Sequence, residues 1–512
     1  MSAARRVIVV GGGIAGLAAA HRLRTLAPGV AITLVESAER LGGKIVTERR
    51  DEFIIEGGPD SFLSYKPWGL ALCRELGLES RLQGADETTR RTYVMRRGRL
   101  HELPEGFTGL IPSRLGPLVK TALLSPLAKL RMGLEYFIPP RPAGGDESLA
   151  GFVIRRLGRA PYARLIEPLM AGIYAGDGEQ LSLEATFPQL RALELEHGGL
   201  LRGLLAARRH RGSEVGSTVA PGCAPAPRER AAAAALSTAA PASPGARQWP
   251  PFLTLEGGLV ELVSALIARL EGVVELRLRA SGRGLGRSGR GYTLRLDGAP
   301  PLEAEAVIVA TPAFTAADLL ADLDREAAAT LRAIPHVSTA TVTVAYPLSA
   351  LPRPLAGHGY IVPRVEGRPI LACTWTSRKF PHRAPAGFAL MRAFLGRAGR
   401  EDLLERGDEE LVGLVREELR EVLGLTAPPL FSRLFRWPRS MPQYTLGHLE
   451  RLGAIEERLR AHPGLFLAGA AYRGIGIPDC IQSGRLAAER AGAFVAASGA
   501  ASAPLPRAAS RL

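Results

Sequence analysis

The chain has 512 residues, enough for two or three domains with sizeable cores. Hydrophobic residues make up 46% and charged residues 22%, a globular balance, and there is no apolar run of about eighteen residues to span a bilayer. The net charge is +15, yet only five of the 65 basic residues are lysine. With no recognised nucleic-acid motif beside it, the surplus reads as general arginine enrichment, and no nucleic-acid partner is expected.

The first element is VIVVGGGIAG, residues 7–16. Four unbroken apolar residues predict a strand buried on both faces of a parallel sheet. Gly11, Gly13 and Gly16 then fit G-x-G-x-x-G, and Ala15 to Leu26 read as a helix. A second strand, Ala31 to Val35, ends at Glu36, where a ribose hydroxyl acceptor is expected. This context predicts a dinucleotide site; a tight turn without ligand is the alternative.

Two glycine turns follow, ERLGGK at Glu39–Lys44 and EGGPDSF at Glu56–Phe62, each able to bring backbone close to a nucleotide. Phe107 to Phe137 mixes Leu, Ile and Phe with Arg114, Lys120, Lys129 and Arg131. It suits either a peripheral helix on an anionic membrane or a helical lid. Leu149 to Leu205 read mainly helical. From Ala206 to Pro251 the composition shifts to Ala, Pro, Gly, Ser and Arg, which cannot bury enough surface to offset ordering entropy, so a flexible insertion is expected.

Beyond it, Gly257-Gly258 form a turn before an amphipathic helix. Strands are expected in VVELRLRA, GYTLRL and AEAVIVATP, and over Thr339–Tyr346 and Ile370–Thr376; Asp408 to Leu423 has helical spacing. LFLAGAAYRGIGIPDCIQSGR, at Leu465–Arg485, is again strand, glycine turn and helix. Two distant strand–glycine–helix units converging on one extended cofactor argue for FAD over a nicotinamide. The four cysteines are far apart, and no His/Cys group has metal-ligand spacing, so a reduced cytoplasmic protein without bound metal is expected.

At this point the chain resembles the flavin-dependent porphyrinogen oxidases of haem biosynthesis, within the amine-oxidase and phytoene-desaturase superfamily. The matching pieces are VIVVGGGIAGLAAA, ERLGGK, GPDSFL, GIYAGD, TFPQL, ACTWTSRKFPH, RWPRSMPQYTLGH and YRGIGIPDCIQSG. The resemblance implies an amine-oxidase-like α/β fold: a discontinuous Rossmann-like FAD-binding domain (1–85, 252–315 and 450–497), an α+β substrate domain (86–103 and 316–449) and a mostly helical domain (104–205). The insertion at 206–251 and a disordered tail at 498–512 complete the division. It also implies six-electron oxidation of a porphyrinogen, with O2 regenerating the flavin. An amine oxidase or carotenoid desaturase is the alternative enzyme class. Within the favoured class, coproporphyrinogen III is preferred to protoporphyrinogen IX.

Carried over to this sequence, the resemblance places FAD against Gly11, Gly12, Gly13, Ile14, Ala15 and Gly16, then Glu36, Ser37, Arg40, Gly42, Gly43 and Lys44. It continues with Gly58, Pro59, Asp60 and Ser61, a strand near Ala280, and Ala470, Ile475, Gly476 and Ile477. For the substrate, Lys66 is the candidate propionate partner, with an ordinary solvated lysine as alternative. Tyr174, Met441 and Tyr444 are pocket candidates, with core packing as alternative. Thr92 stands where related protoporphyrinogen oxidases often have arginine, and Arg91 would face the opposite side of the strand. His382 and His448 read as structural, and no catalytic triad is evident.

Overall fold

Val7 to Val10 form the middle of a parallel sheet in the computed structural model, which describes residues 5–104, 107–108, 111–112, 115–142, 144–213, 249–289 and 291–500. Across the sheet the strands run Glu275–Arg277, Ala31–Val35, Arg6–Val10, Ala306–Val309 and Leu465–Leu467, all parallel. Alternation sends Val7 and Val9 to one face and Ile8 and Val10 to the other. The first face packs against helices Ile14–Leu26, Val260–Leu270 and Ile477–Ala500. The second is covered by helices Ala313–Leu320 and Arg325–Arg332 and by a small antiparallel sheet, Gly282–Ser288, Gly291–Leu296 and Leu302–Ala304. Burial on both sides is why Val7 to Val10 are all apolar, the strand's one polar residue being the exposed Arg6 at its start.

The stretch AEAVIVATP divides instead of forming one strand. Leu302–Ala304 belongs to the small antiparallel sheet and Ala306–Val309 to the parallel one. Glu305, between them, donates its N–H to Arg6 O and accepts the Arg6 N–H on its carboxylate, at 3.1 and 2.6 Å.

A second, seven-stranded sheet runs in the order Phe431–Pro442, His336–Pro347, Phe388–Leu395, Ile370–Thr374, Gly359–Ile361, Thr92–Arg96, Arg99–Glu102. Helix Asp408–Leu423 covers one face with Leu411, Val415 and Leu419. The strand expected over Thr339–Tyr346 is longer, His336–Pro347, with a bulge after Val337; the one expected to reach Thr376 stops at Thr374, before the helical turn Thr376–Lys379.

The third body is helical: Leu149–Leu157, Glu167–Tyr174, Pro188–His197 and Leu200–Ser213, with a π-turn at Tyr162–Ile166. Fully buried Arg156 ion-pairs there with Glu135 and Glu194. The segment expected to be flexible from Ala206 begins as helix as far as Ser213, and Trp249, near its other end, packs on the parallel-sheet core. Residues 214–248 and 501–512 lie outside the described residues.

Helices Ile14–Leu26 and Ile477–Ala500 cross so closely that a β-carbon on Gly484 would lie 2.0 Å from Ala15 O. Gly484→Val is expected to lower stability by about 1–3 kcal/mol by forcing these helices apart. Urea unfolding checks it; an unchanged midpoint would show that the helices have slack.

Candidate active site

The loop between Val10 and Ile14 is shaped by its glycines. A β-carbon at Gly16 would lie 1.8 Å from Gly11 O, so only glycine lets the helix pack back on the loop. On the other side a β-carbon at Gly13 would meet nothing within 4 Å, and no side chain caps the helix that starts at Ile14. Uncapped N–H groups at a helix start, beside an open glycine backbone, make an anion cradle. Glu36 closes it: Gly12 N–H donates to Oε2 at 2.7 Å, and Ala38 N–H donates to Oε1 at 2.8 Å. Ser37 Oγ is 3.2 Å from the same Oε1.

Ala280 is not on a strand. It lies between Glu275–Arg277 and Gly282–Ser288 and donates its N–H to Glu36 O at 2.9 Å, so that donor is already used. Gly42 N–H donates to Gly12 O at 2.8 Å, docking the second turn on the first. Arg40 folds back onto its own turn, donating to the carbonyls of Leu41, Gly43 and Ile45. Lys44 is solvent-accessible although protein surrounds it densely, as expected for a group lining an internal cleft; Nζ donates to Ser440 O at 2.6 Å, and desolvation lowers its pKa.

The Gly57–Ser61 turn is clamped from the seven-stranded sheet. Gly57 O accepts from Trp437 Nε1 at 2.9 Å, Thr341 Oγ1 at 3.1 Å and Arg392 Nη2 at 3.2 Å. The same Arg392 nitrogen donates to Gly58 O. Pro59 is half-buried. Asp60 accepts from Ser61 Oγ at 2.6 Å and pairs with Lys379 at 3.1 Å. Burial opposes ionisation of Asp60, but Lys379 and Arg392 outweigh it and hold the carboxyl well below the usual range. Arg392 and Lys379 escaped the sequence reading. The signal for the first was available: a lone arginine inside the otherwise apolar strand FALMRAFL.

At the far end of the chain, Tyr444 organises the last glycine turn. Its hydroxyl donates to Ala470 O at 2.6 Å and accepts from Gly474 N–H at 2.7 Å. It is buried, stacked on His448 at 4.2 Å and edge-on to Tyr174 at 6.1 Å, so both tyrosines belong to the packed wall behind that turn. Gln443 holds the carbonyls of Tyr174 and Met441, and Met441 packs beside Val337, Leu371 and Ala372. Gly476 N–H donates to Asp479 Oδ2 at 3.2 Å; Ile475 is half-buried and Ile477 buried. Asp479 also takes both bonds from Lys66 Nζ, at 2.7 and 2.6 Å. The ammonium expected to meet a propionate therefore already has a carboxylate, and it braces the final turn. Burial drives His382 and His448 to a pKa of about 4, so both are neutral at physiological pH.

Along Thr92–Arg96, Val94 packs on Leu118, Leu123 and Leu165 of the helical body, while Met95 enters the opposite core. Thr92 has the parity of Val94 and so lies on the face toward the helical body. Arg91 instead pairs with Glu102 at 3.6 Å.

Together, the open loop, the uncapped helix start, the Glu36 carboxylate and a second helix start held close by Gly484 suit an extended adenine dinucleotide. Among the described residues no group of His, Cys, Asp and Glu is arranged to hold a metal. The fold and site define a flavoprotein oxidoreductase with FAD as its cofactor. The chain belongs to the flavin containing amine oxidoreductase family, whose model matches residues 14–491. It is 36% identical over 488 residues to the coproporphyrinogen III oxidase of Bacillus subtilis, covering 94% of this chain and 97% of that one. It is 37% identical over 486 residues to the coproporphyrinogen III oxidase of Propionibacterium freudenreichii, covering 94% and 90%. A solved structure from Exiguobacterium sp. 255-15, provisionally designated a protoporphyrinogen oxidase, superposes with a TM-score of 0.79 at 33% identity, covering 96% and 99%.

Glu36→Ala removes an acceptor and also releases the Gly12 and Ala38 N–H groups that shape the loop. FAD affinity is expected to fall by about 1–3 kcal/mol, roughly five- to 150-fold in Kd. Quenching of flavin fluorescence on titration into apoprotein measures it. Unchanged affinity would remove Glu36 from the site.

Proposed function

We propose that this protein oxidises coproporphyrinogen III to coproporphyrin III in haem biosynthesis, passing six electrons to three O2 and releasing three H2O2. The observation that carries the reading is near-full-length similarity to two coproporphyrinogen III oxidases. Bound FAD supplies the two-electron acceptor, used once in each of three rounds. This chain's part is to bind and orient. In this reading the cofactor lies against Gly11–Gly16, Gly42–Lys44, Gly58–Ser61, Ala470 and Ile475–Ile477. Residues 86–103 and 316–449 form the substrate part, and 104–205 cover it. Thr92, on the face toward the helical body, leaves room where an arginine would stand, which suits a substrate with four propionates and no vinyl groups.

The designation of the Exiguobacterium structure makes protoporphyrinogen IX the competing substrate. Purified enzyme is expected to show kcat/KM at least tenfold higher for coproporphyrinogen III, about 1.4 kcal/mol in transition-state binding. Growth of porphyrin fluorescence under air checks it. A tenfold preference the other way would reverse the substrate while leaving the enzyme class standing.

A peripheral membrane contact through 107–137 is a second part of this reading. No helix among the described residues is long and apolar enough to cross a membrane. However, Val119, Leu127, Leu130 and Phe137 are 67, 77, 64 and 73% exposed, near Lys120 and Lys129. Flotation with anionic vesicles is expected to carry the protein, and Leu127→Glu with Phe137→Glu to release it. Wild type left in the dense fraction would reject the contact.

A further inference from the structure

Three glycine turns abut in order. Gly12 N–H donates to Glu36, and Gly42 N–H donates to Gly12 O at 2.8 Å. A β-carbon on Gly43 would lie 3.1 Å from Gly13 Cα, and one on Gly58 would lie 1.8 Å from Lys44 O. A cofactor whose ribose sits at Glu36 and which follows these turns ends with its flavin ring at Gly58, beside the seven-stranded sheet. Largely buried charges surround that last turn. Glu56 is consumed by Arg383 at 3.0 Å, Thr47 Oγ1 at 2.7 Å and Leu259 N–H at 2.8 Å. Asp60 is consumed by Lys379 at 3.1 Å and Ser61 Oγ at 2.6 Å. Glu261, the next carboxylate toward Arg383, is paired with Arg81. Arg392, 3% exposed, makes no ion pair among the described residues; it donates to the carbonyls of Gly57 and Gly58, and Asp60 and Glu56 act on it only from a distance. Around the turn, Arg383, Lys379 and Arg392 thus outnumber Glu56 and Asp60.

Holding the turn does not require a charge. Thr341 Oγ1 and Trp437 Nε1, both neutral donors, already match the two lone pairs of Gly57 O. A buried guanidinium in their company costs desolvation, so what the position adds is the charge itself. We infer that Arg392 and Lys379 are positioning residues that act through the Gly57–Ser61 turn to raise the reduction potential of the bound FAD. In each round the porphyrinogen gives up two electrons and two protons; two electrons and one proton enter the flavin, and the other proton leaves to solvent. The reduced ring therefore carries one negative charge more than the oxidised ring, and a cation in low-dielectric surroundings stabilises it. Return of the two electrons and the proton to O2, with one further proton from solvent, yields H2O2. A raised potential favours the first half of the round, the withdrawal of electrons from the porphyrinogen. This rests on the reading that the cofactor lies against Gly58–Ser61, whichever porphyrinogen is oxidised.

The test is the midpoint potential of the holoenzyme, read without air from flavin absorbance in equilibrium with a reference dye. At a fixed potential, the ratio of reduced to oxidised flavin is expected to fall at least tenfold in Lys379→Met and in Arg392→Met, about 30 mV for a two-electron couple. Asp60→Asn removes a negative charge and is expected to raise the same ratio at least tenfold. Arg392→Lys keeps the charge and is expected to stay near wild type. Should Arg392→Met fail to fold or to hold FAD, the opposite shifts of Lys379→Met and Asp60→Asn carry the test, because a loosened turn would move both the same way. Potentials that do not move, or that ignore the sign of the charge removed, would overturn the inference. The visible band of the bound flavin then tells which premise failed. A band unchanged in every variant would mean that the turn does not lie against the ring, and the reading of the cofactor site would fall with it. A shifted band without ordering of the potentials would leave that site standing and reject the charge role alone.

Discussion

One carbonyl oxygen ties the Gly57–Ser61 turn to the seven-stranded sheet. Gly57 O receives donors from three adjacent strands of the seven-stranded sheet: Thr341 from His336–Pro347, Arg392 from Phe388–Leu395 and Trp437 from Phe431–Pro442. A carbonyl has two lone pairs, so three donors exceed its capacity, and Arg392 shares its load with Gly58 O. The arrangement fixes the Gly57–Ser61 turn to the seven-stranded sheet, while the Gly57 N–H donates to Val46 O at 2.8 Å. If Arg392 lost these acceptors, a guanidinium only 3% exposed would lose its hydrogen-bond acceptors, at a cost of about 1–3 kcal/mol. Movement of the turn relative to the seven-stranded sheet is thereby resisted.

The charges around this clamp follow from the same burial. Arg383, fully buried, meets Glu56 at 3.0 Å, and Lys379 meets Asp60 at 3.1 Å. Arg392 completes the group as a cation hydrogen-bonded to carbonyls, with Asp60 and Glu56 near enough to favour its charge. The turn therefore sits in a surplus of positive charge inside low-dielectric surroundings, where such a surplus acts strongly. It favours electron-rich or anionic groups beside Gly58. It also keeps Asp60 ionised, which makes that residue an acceptor of N–H groups and a poor proton carrier.

Much of this was legible in the sequence where local chemistry decides the structure. The run Val7–Val10, the glycine spacing to Gly16, the strand ending at Glu36 and the helix Asp408–Leu423 appear where the pattern of apolar residues puts them. What failed to show depends on partners far away in the chain. Lys66 is answered by Asp479, across 413 residues, so its pairing has no local trace. Tyr444 looks from its motif like a pocket residue, yet its hydroxyl is consumed by Ala470 and Gly474. Ala280 donates to Glu36 because of sheet geometry that its own neighbours do not encode. The break at Glu305 was hidden because only sheet partners distant in the chain separate the end of Leu302–Ala304 from Ala306–Val309.

The parallel sheet has a consequence for how the molecule comes into being. Its first strand, Arg6–Val10, finds a neighbour early in Ala31–Val35, but Ala306–Val309 follows much later and Leu465–Leu467 last of all. The helix that closes on Ala15 begins only at Ile477. At a translation rate of about 5–20 residues per second, roughly twenty to ninety seconds separate the making of the opening strand from that of Leu465–Leu467. During that interval an apolar strand edge stands unpaired. The glycine turns therefore come together only after the helix that begins at Ile477 has been made.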